Sequence, residues 1–243
     1  MTQAVVPPVL TVAQTDRLAQ RMLDHCHREG VLPAASDDLW DGYHLLRSRL
    51  YETFRVPDTH LTPLAARILY AVAALHRPRR IAVLGCYAGN LLGWVAGPGF
   101  GPAAGYEGVT AVGLDVDAEA VGLAEENLRR AGYHSGARAV CADAYDASAL
   151  AAEGPWDLLL LDVDEPGARK AGYHRVLERW APYLAPGAVV IAHDVKHPAF
   201  ARDLGRWADD VRANGAVATT ALPVDECGLE VSRFAGPPPS PLS

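Results

Sequence analysis

The stretch Arg80-Ile-Ala-Val-Leu-Gly-Cys-Tyr-Ala-Gly-Asn90, followed by Leu91-Leu-Gly-Trp94, constrains the fold more than any other part of the chain. Ile81–Leu84 is an unbroken apolar run, the pattern of a short strand buried on both faces. The run breaks at Gly85, turns through Cys86, Tyr87 and Ala88, and passes Gly89 into an apolar segment that reads as helix. A strand, a glycine turn and a helix N-terminus together present backbone N–H groups to a closely approaching ligand.

From Arg79 onward strands and helices alternate. Strands are expected at Ile81–Gly85, Val109–Asp115, Ala137–Cys141, Trp156–Val163 and Ala188–His193, and helices at Leu91–Ala96, Ala118–Ala131, Ala147–Ala151 and Arg169–Leu184. That order predicts a parallel sheet with right-handed crossovers and helices on both faces. After a further helix, Ala199–Ala213, the strands Val217–Leu222 and Leu229–Phe234 predict an antiparallel pair at one edge. The stretch Gly97–Gly105 is rich in glycine and proline and reads as a long surface loop. Upstream, helices are expected from Thr15-Asp16 to Arg28, after a Ser36-Asp-Asp38 cap, and from Thr62-Pro63 to about Leu75. The fold class is therefore α/β: a doubly wound, mostly parallel seven-stranded sheet with N-terminal helices and an antiparallel edge hairpin. Three parts are expected: a helical cap over residues 1–55, a Rossmann-like ligand-binding domain over 56–235, and a disordered proline-rich tail over 236–243.

A formal charge of −7 and the absence of any basic block beyond Arg77-Pro-Arg-Arg80 argue against nucleic acid or an anionic membrane as partner. No apolar run approaches the length of a membrane span, and the polar start lacks a signal peptide's charged n-region. Cys26, Cys86, Cys141 and Cys227 are scattered, with no CxxC pair, which fits a reducing cytoplasm. Abundant Ala, Arg, Gly and Pro suggest a GC-rich bacterial source, where a small isolated enzyme often serves specialised metabolism.

In an open parallel sheet, ligands bind beyond the carboxyl ends of the strands, where strand order reverses. Those ends are polar here: the glycine turn, Asp115, Asp143-Ala144-Tyr145, Asp162-Val-Asp164-Glu165 and His193-Asp194. A carboxylate ending the second strand offers two acceptor oxygens to the two hydroxyls of a ribose. Asp143 lies where an adenine amino group would be read, with Tyr145 available for stacking. A nicotinamide dinucleotide fits less well, because Tyr87 stands where the middle glycine of G-x-G-x-x-G must admit a pyrophosphate.

On these features the chain resembles the class I S-adenosylmethionine-dependent methyltransferases, and within them the small-molecule O-methyltransferases of the catechol and caffeoyl-CoA type. The resemblance covers roughly residues 56–234. It is carried by His60-Leu-Thr-Pro63, Leu84-Gly-Cys-Tyr-Ala-Gly89, Gly113-Leu-Asp115, Ala142-Asp-Ala144, Leu159-Leu-Leu-Asp-Val-Asp164, Leu184-Ala-Pro-Gly-Ala-Val-Val-Ile-Ala-His-Asp194 and Asp225-Glu-Cys-Gly-Leu-Glu230. It implies S-adenosylmethionine as cofactor, with Gly85, Tyr87 and Gly89 around its methionine part. By the same resemblance Asp115 holds the ribose, Asp143 and Ala144 contact the adenine, Asp162 lies beside the cofactor, and Thr62 closes over its amino acid end. The cationic sulfonium makes the faces of Trp40, Tyr43 and Tyr173 candidate lid partners. A small-molecule acceptor and a homodimer with N-terminal helices at the interface are further implications.

The departures from the family pattern bear on mechanism. The strand-four acid is present as Asp162, but the usual Asp-Asn pair after strand five reads His193-Asp194. Asp162, His193 and Asp194 remain a candidate set for Mg²⁺ or a transition metal, with imidazole shifting the preference away from Mg²⁺. The lysine expected directly after the strand-four acids is replaced by Glu165, while Lys170 is expected farther along, inside a helix. One mechanism makes His193 the general base for methyl transfer to a hydroxyl or amine, with Asp162 and Asp194 orienting it or binding a metal. In a second, the cofactor loses its aminocarboxypropyl chain, or cyclises to azetidine-2-carboxylate and methylthioadenosine, inside a cage of Tyr43, Tyr87 and Tyr173. A catalytically silent scaffold is the third.

Overall fold

The computed structural model describes residues 10–36, 38–57, 61–165 and 167–235. Residues before Leu10, His60 of the His60-Leu-Thr-Pro63 motif and the expected tail 236–243 lie outside the described residues. Seven strands form a single sheet: β1 (Arg80–Leu84), β2 (Thr110–Asp115), β3 (Ala137–Cys141), β4 (Trp156–Leu161), β5 (Leu184–His193), β6 (Ala216–Leu222) and β7 (Leu229–Phe234), in the order β3-β2-β1-β4-β5-β7-β6. The first five run parallel, and β7 is antiparallel to both β5 and β6. Chain order reverses between β1 and β4, which places the ligand crevice beyond the carboxyl end of β1.

Side chains alternate across a strand, and here both faces are covered. Ile81 and Val83 of β1 join one hydrophobic cluster, while Ala82 and Leu84 join the other. The first cluster takes in α1 (Val12–Arg28), α2 (Leu39–Thr53), α3 (Pro63–His76), α4 (Asn90–Phe100) and α5 (Ala118–Ala131). The second takes in α6 (Tyr173–Trp180), α7 (Ala201–Leu204) and α8 (Trp207–Ala213). Two-sided burial explains why the parallel strands read as unbroken apolar runs.

Several local expectations change. The first helix starts at Val12, not at Thr15-Asp16. Thr11 and Gln14 form a reciprocal capping box, and Asp16 instead takes Arg67 at 2.6 Å and His44 at 3.0 Å. Asp38 ends the approach to α2 without any side-chain cap bond. The expected surface loop over Gly97–Gly105 is helix and core through Phe100. A Cβ on Gly97 would come within 2.2 Å of the Leu46 side chain, so its glycine lets α2 and α4 pack closely. The helix expected over Arg169–Leu184 is broken into a 3₁₀ turn at Lys170–Gly172, then α6, then a second 3₁₀ turn at Ala181–Tyr183. Ala147–Glu153 is likewise 3₁₀, and Ala199–Ala213 splits into α7 and α8 after a 3₁₀ turn.

The aromatics expected to form a lid pack into the protein instead. Tyr43 is fully buried, stacked on Trp94, and its hydroxyl accepts from Arg67 at 3.1 Å. Trp40 packs edge-on against Tyr43. Tyr173 is buried under Trp207, with its hydroxyl donating to Leu161 O at 3.1 Å. The physical reason is helical spacing. Tyr43 shares an apolar face with Leu46 and Leu50, and Tyr173 shares one with Val176, Leu177 and Trp180.

Candidate active site

The glycine turn follows the carboxyl end of β1. Gly85 sits at φ +79°, and a Cβ there would lie 2.4 Å from the Asp162 carbonyl oxygen, so only glycine lets the turn cross β4. Tyr87 is held at φ +44°, and its N–H donates to Asp115 Oδ2 at 2.8 Å. Asp117 N donates to the other Asp115 oxygen at 3.1 Å. Each carboxylate oxygen retains acceptor capacity, so Asp115 is oriented without being used up. Behind the turn, buried Asn127 of α5 donates to Ala88 O at 2.9 Å and Arg55 O at 2.8 Å, and accepts from Arg55 N at 2.8 Å. One amide thus ties the turn to the segment after α2.

Two cavities meet at this turn. The larger, about 500 Å³, lies over the ends of β1, β2 and β4 and includes Asp115, Asp143, Ala144 and Tyr145 in its wall. The smaller, about 80 Å³, is bounded by Leu61, Asn90 and His193. Gly85, Tyr87 and Asp162 line both. Gly89 and Thr62 line neither: Gly89 starts α4, and the Thr62 hydroxyl caps Ala65 N at 3.1 Å and donates to Asp225 Oδ2 at 3.1 Å. Tyr145 donates to Glu165 Oε2 at 3.2 Å, which fixes its ring on the wall of the larger cavity. Tyr87 is the one member of the expected Tyr43–Tyr87–Tyr173 cage that reaches a cavity, so the cage does not form.

Asp162, His193 and Asp194 come together as expected, with a ligand atom of each within 4.8 Å of the others. The residue sequence reasoning missed is Lys170. Its Nζ donates to Asp162 Oδ1 at 2.8 Å and forms ion pairs with Asp194 Oδ2 at 3.0 Å and Asp164 Oδ2 at 3.3 Å, so three carboxylates surround one ammonium. The lysine is 1% exposed, with its Nζ 5.4 Å from the Tyr173 ring centroid and 5.8 Å from that of Phe200. A tight loop delivers it there. Glu165 N donates to Arg169 O at 3.0 Å and Arg169 N donates back to Glu165 O at 2.6 Å, so the chain returns to where it left β4. The signal that could have found Lys170 is the Pro166-Gly167 pair, a turn signature just before the stretch read as helix.

His193 Nδ1 is 3.3 Å from Asp162 Oδ1 and 3.4 Å from Asp194 Oδ1. Both neighbours only accept, so the proton sits on Nδ1 and Nε2 is left as an acceptor. Burial pulls the His193 pKa down, but the hydrogen bond and charge of Asp162 and the charge of Asp194 outweigh it and raise the value above 6.5. Burial pushes the Asp162 pKa up, yet His193 and Lys170 hold it below the ordinary carboxylate value. Burial likewise opposes the charge on Lys170, but Tyr173 and the carboxylates of Asp162 and Asp194 keep it protonated.

This arrangement does not suit a resident divalent ion. Such an ion needs carboxylate oxygens at about 2.0–2.6 Å, and those of Asp162 and Asp194 already hold an ammonium between them. Two unit charges about 4 Å apart repel by about 4 kcal/mol even at an effective dielectric of 20, and a divalent ion roughly doubles that. Lys170 and the metal compete for one place. The larger cavity, by contrast, fits an adenosyl ligand. Its volume lies in the range of about 300–1,000 Å³ usual for small-molecule sites, Gly85 leaves a cradle that a Cβ would fill, and Asp115 keeps free acceptor sites.

Sheet order, glycine turn and the acid ending β2 define the class I methyltransferase fold. Residues 83–195 match the family described as "Methyltransferase domain". Solved structures agree on the fold. The O-methyltransferase of Bacillus cereus in complex with SAH shares 17% identity at a TM-score of 0.60, over 88% of this chain and 97% of that one. A methyltransferase of Podospora anserina bound to SAH shares 18% at a TM-score of 0.59, over 94% and 99%. The O-methyltransferase TomG of Streptomyces achromogenes, in complex with SAM and involved in tomaymycin synthesis, shares 18% at a TM-score of 0.58, over 89% and 99%. No curated protein matches the chain in sequence.

Proposed function

We propose that this chain is an S-adenosylmethionine-dependent methyltransferase that methylates a hydroxyl or amine of a small molecule. One observation carries the reading: the large cavity at the strand ends shares a wall of Gly85, Tyr87 and Asp162 with a small one that His193 also lines. The bound cofactor supplies an electrophilic methyl on a sulfonium. Asp115 takes the ribose hydroxyls, and Asp143 with Tyr145 faces the adenine. The acceptor enters the smaller cavity, where His193 Nε2 takes its proton as the oxygen or nitrogen bonds to the methyl and the methyl–sulfur bond breaks. Asp162 keeps the imidazole in the tautomer this needs. Holding nucleophile and methyl in line supplies most of the acceleration.

The cavity walls also bear on the acceptor. The smaller cavity, which takes the acceptor, has Leu61, Cys86, Tyr87 and Leu91 in its wall, Asp162 already paired with Lys170, and no Lys or Arg, which favours a neutral acceptor over an anionic one. Four free cysteines, with Cys141 exposed, suit a reducing cytoplasm. No helix among the described residues is long and apolar enough to cross a membrane. A role in specialised metabolism draws on the composition and on the likeness to TomG. Nothing favours the non-methyl reactions, because Tyr43 and Tyr173 are held in the core.

The test is incubation with S-adenosylmethionine and a panel of phenolic and amine acceptors, followed by mass spectrometry. S-adenosylhomocysteine formed only when an acceptor is present is the expected product. Methylthioadenosine would overturn methyl transfer, and absence of cofactor binding would overturn the enzyme assignment.

A further inference from the structure

We infer that Lys170 is the resident cation of this site, standing permanently where a divalent metal would otherwise sit, and that the protein works without one. Asp162, His193 and Asp194 are spaced as a metal triad, but an ammonium lies among them at 2.8 Å and 3.0 Å from the two carboxylates. Those contacts use the oxygens a metal would need. A third carboxylate, Asp164, forms an ion pair with the ammonium at 3.3 Å.

Lys170 is not a surface side chain that could swing aside to admit an ion. Its ammonium lies near the rings of Tyr173 and Phe200, and the Arg169 guanidinium lies 4.2 Å from the Phe200 ring centroid. The paired backbone hydrogen bonds of Glu165 and Arg169 anchor the loop on which Lys170 sits. Moving the ammonium out would leave the carboxylates of Asp162 and Asp194 close together without their cation. Lysine and metal are therefore alternatives, and the fold has committed to the lysine.

The chemical consequence follows from what an ammonium lacks. It offers no open coordination position and cannot draw an acceptor oxygen into an inner sphere. Lys170 instead neutralises Asp162 and Asp194 and holds them where they orient His193. It is thus a positioning residue, and the proton of the acceptor is left to His193. This rests on the same site as the methyl-transfer reading, but its test needs no turnover, so the two fail separately.

The experiment is a titration of Mn²⁺ with the full-length chain, followed by the electron paramagnetic resonance signal of the free ion. The wild type is expected to leave that signal unchanged, and a chelator is expected to leave S-adenosylmethionine affinity unchanged. Lys170→Ala, which opens the space and removes the charge, is expected to sequester about one equivalent of Mn²⁺ through the triad. Adding Asp194→Asn should release it again. Lys170→Met serves as the second variant if the alanine variant does not fold, as judged by circular dichroism. Stoichiometric Mn²⁺ binding by the wild type that Asp194→Asn abolishes would overturn the inference. So would a folded lysine variant that gains no ion, since the three groups would then never have formed a cation site.

Discussion

The ammonium of Lys170 lies 3.0 Å from Asp194 Oδ2, and Asp194 reaches it from a backbone held at φ +65°. Left-handed backbone is costly for most side chains and best tolerated by Gly, Asn and Asp. Asp194→Asn therefore keeps the turn and removes only the charge. Breaking a buried ion pair by deleting one partner costs about 3–5 kcal/mol, and the low end applies because Asp162 still pairs with Lys170. Chemical denaturation of the two proteins measures the difference. A variant as stable as the wild type would show that Asp194 contributes no net pairing.

His193 touches both carboxylates through Nδ1 and has no recorded partner at Nε2 among the described residues. His193→Ala should lower kcat by about 10²–10⁴, the usual contribution of a general base, while calorimetric titration finds cofactor binding retained. Undiminished turnover would falsify the base assignment.

Gly85→Ala places a methyl group 2.4 Å from the Asp162 carbonyl oxygen on backbone at φ +79°. The crossing of the turn over β4 must then shift, and both cavities share that turn. Loss of cofactor binding is expected, with a fall in melting temperature measured by scanning calorimetry. Wild-type affinity in the variant would mean that the turn is not the cofactor cradle.

Asn127 satisfies three backbone groups at once. Asn127→Ala leaves the buried Ala88 carbonyl without this partner, at about 1–3 kcal/mol for an unsatisfied group, and frees the Arg55 backbone to water. Reduced stability and weaker cofactor binding should appear together, because the amide holds Ala88 in the turn. A stability loss with unchanged cofactor affinity would separate the amide from the site.

Glu230 of β7 is buried, and burial raises its pKa above 4.5, against the Thr219 hydrogen bond and the charges of Lys196 and Arg212. The folded chain thus holds this proton more tightly than the unfolded one. Its stabilising contribution is complete below the ordinary carboxylate pKa and is lost as pH rises through the folded value. Glu230→Gln should melt at a higher temperature than the wild type near neutral pH, and the gap should close on acidification below 4.5. A gap independent of pH would exclude the titration of Glu230 as its cause.

Where chemistry and local geometry coincide, the primary structure already said what mattered. Apolar runs bounded by Gly85, Asp115 and Asp162 specified five parallel strands and their polar ends, because a strand buried on both faces has no other pattern. The glycine turn was legible because a Gly after a buried apolar run marks a tight turn; its clash partner lies at the end of β4, three strands on in sequence and the immediate neighbour in space. Thr62 with Pro63 marked the start of α3 through purely local bonding.

Other features depended on partners far away in the chain. Gly97–Phe100 resemble a loop by composition, yet Leu46 of another helix needs the room that Gly97 leaves, and that turns them into core. Tyr43 and Tyr173 have the chemistry of a lid, but Trp94 and Trp207 decide their burial. Lys170 is the clearest case. Eight residues separate it from Asp162, and only the loop closed between Glu165 and Arg169, together with the return of β5 beside β4, brings its charge among three carboxylates. Periodicity and residue type determine which segments are buried, since burial follows from local pattern. Which charges meet was decided by tertiary structure, because a Coulomb interaction depends on distance through space and the sequence records distance only along the chain.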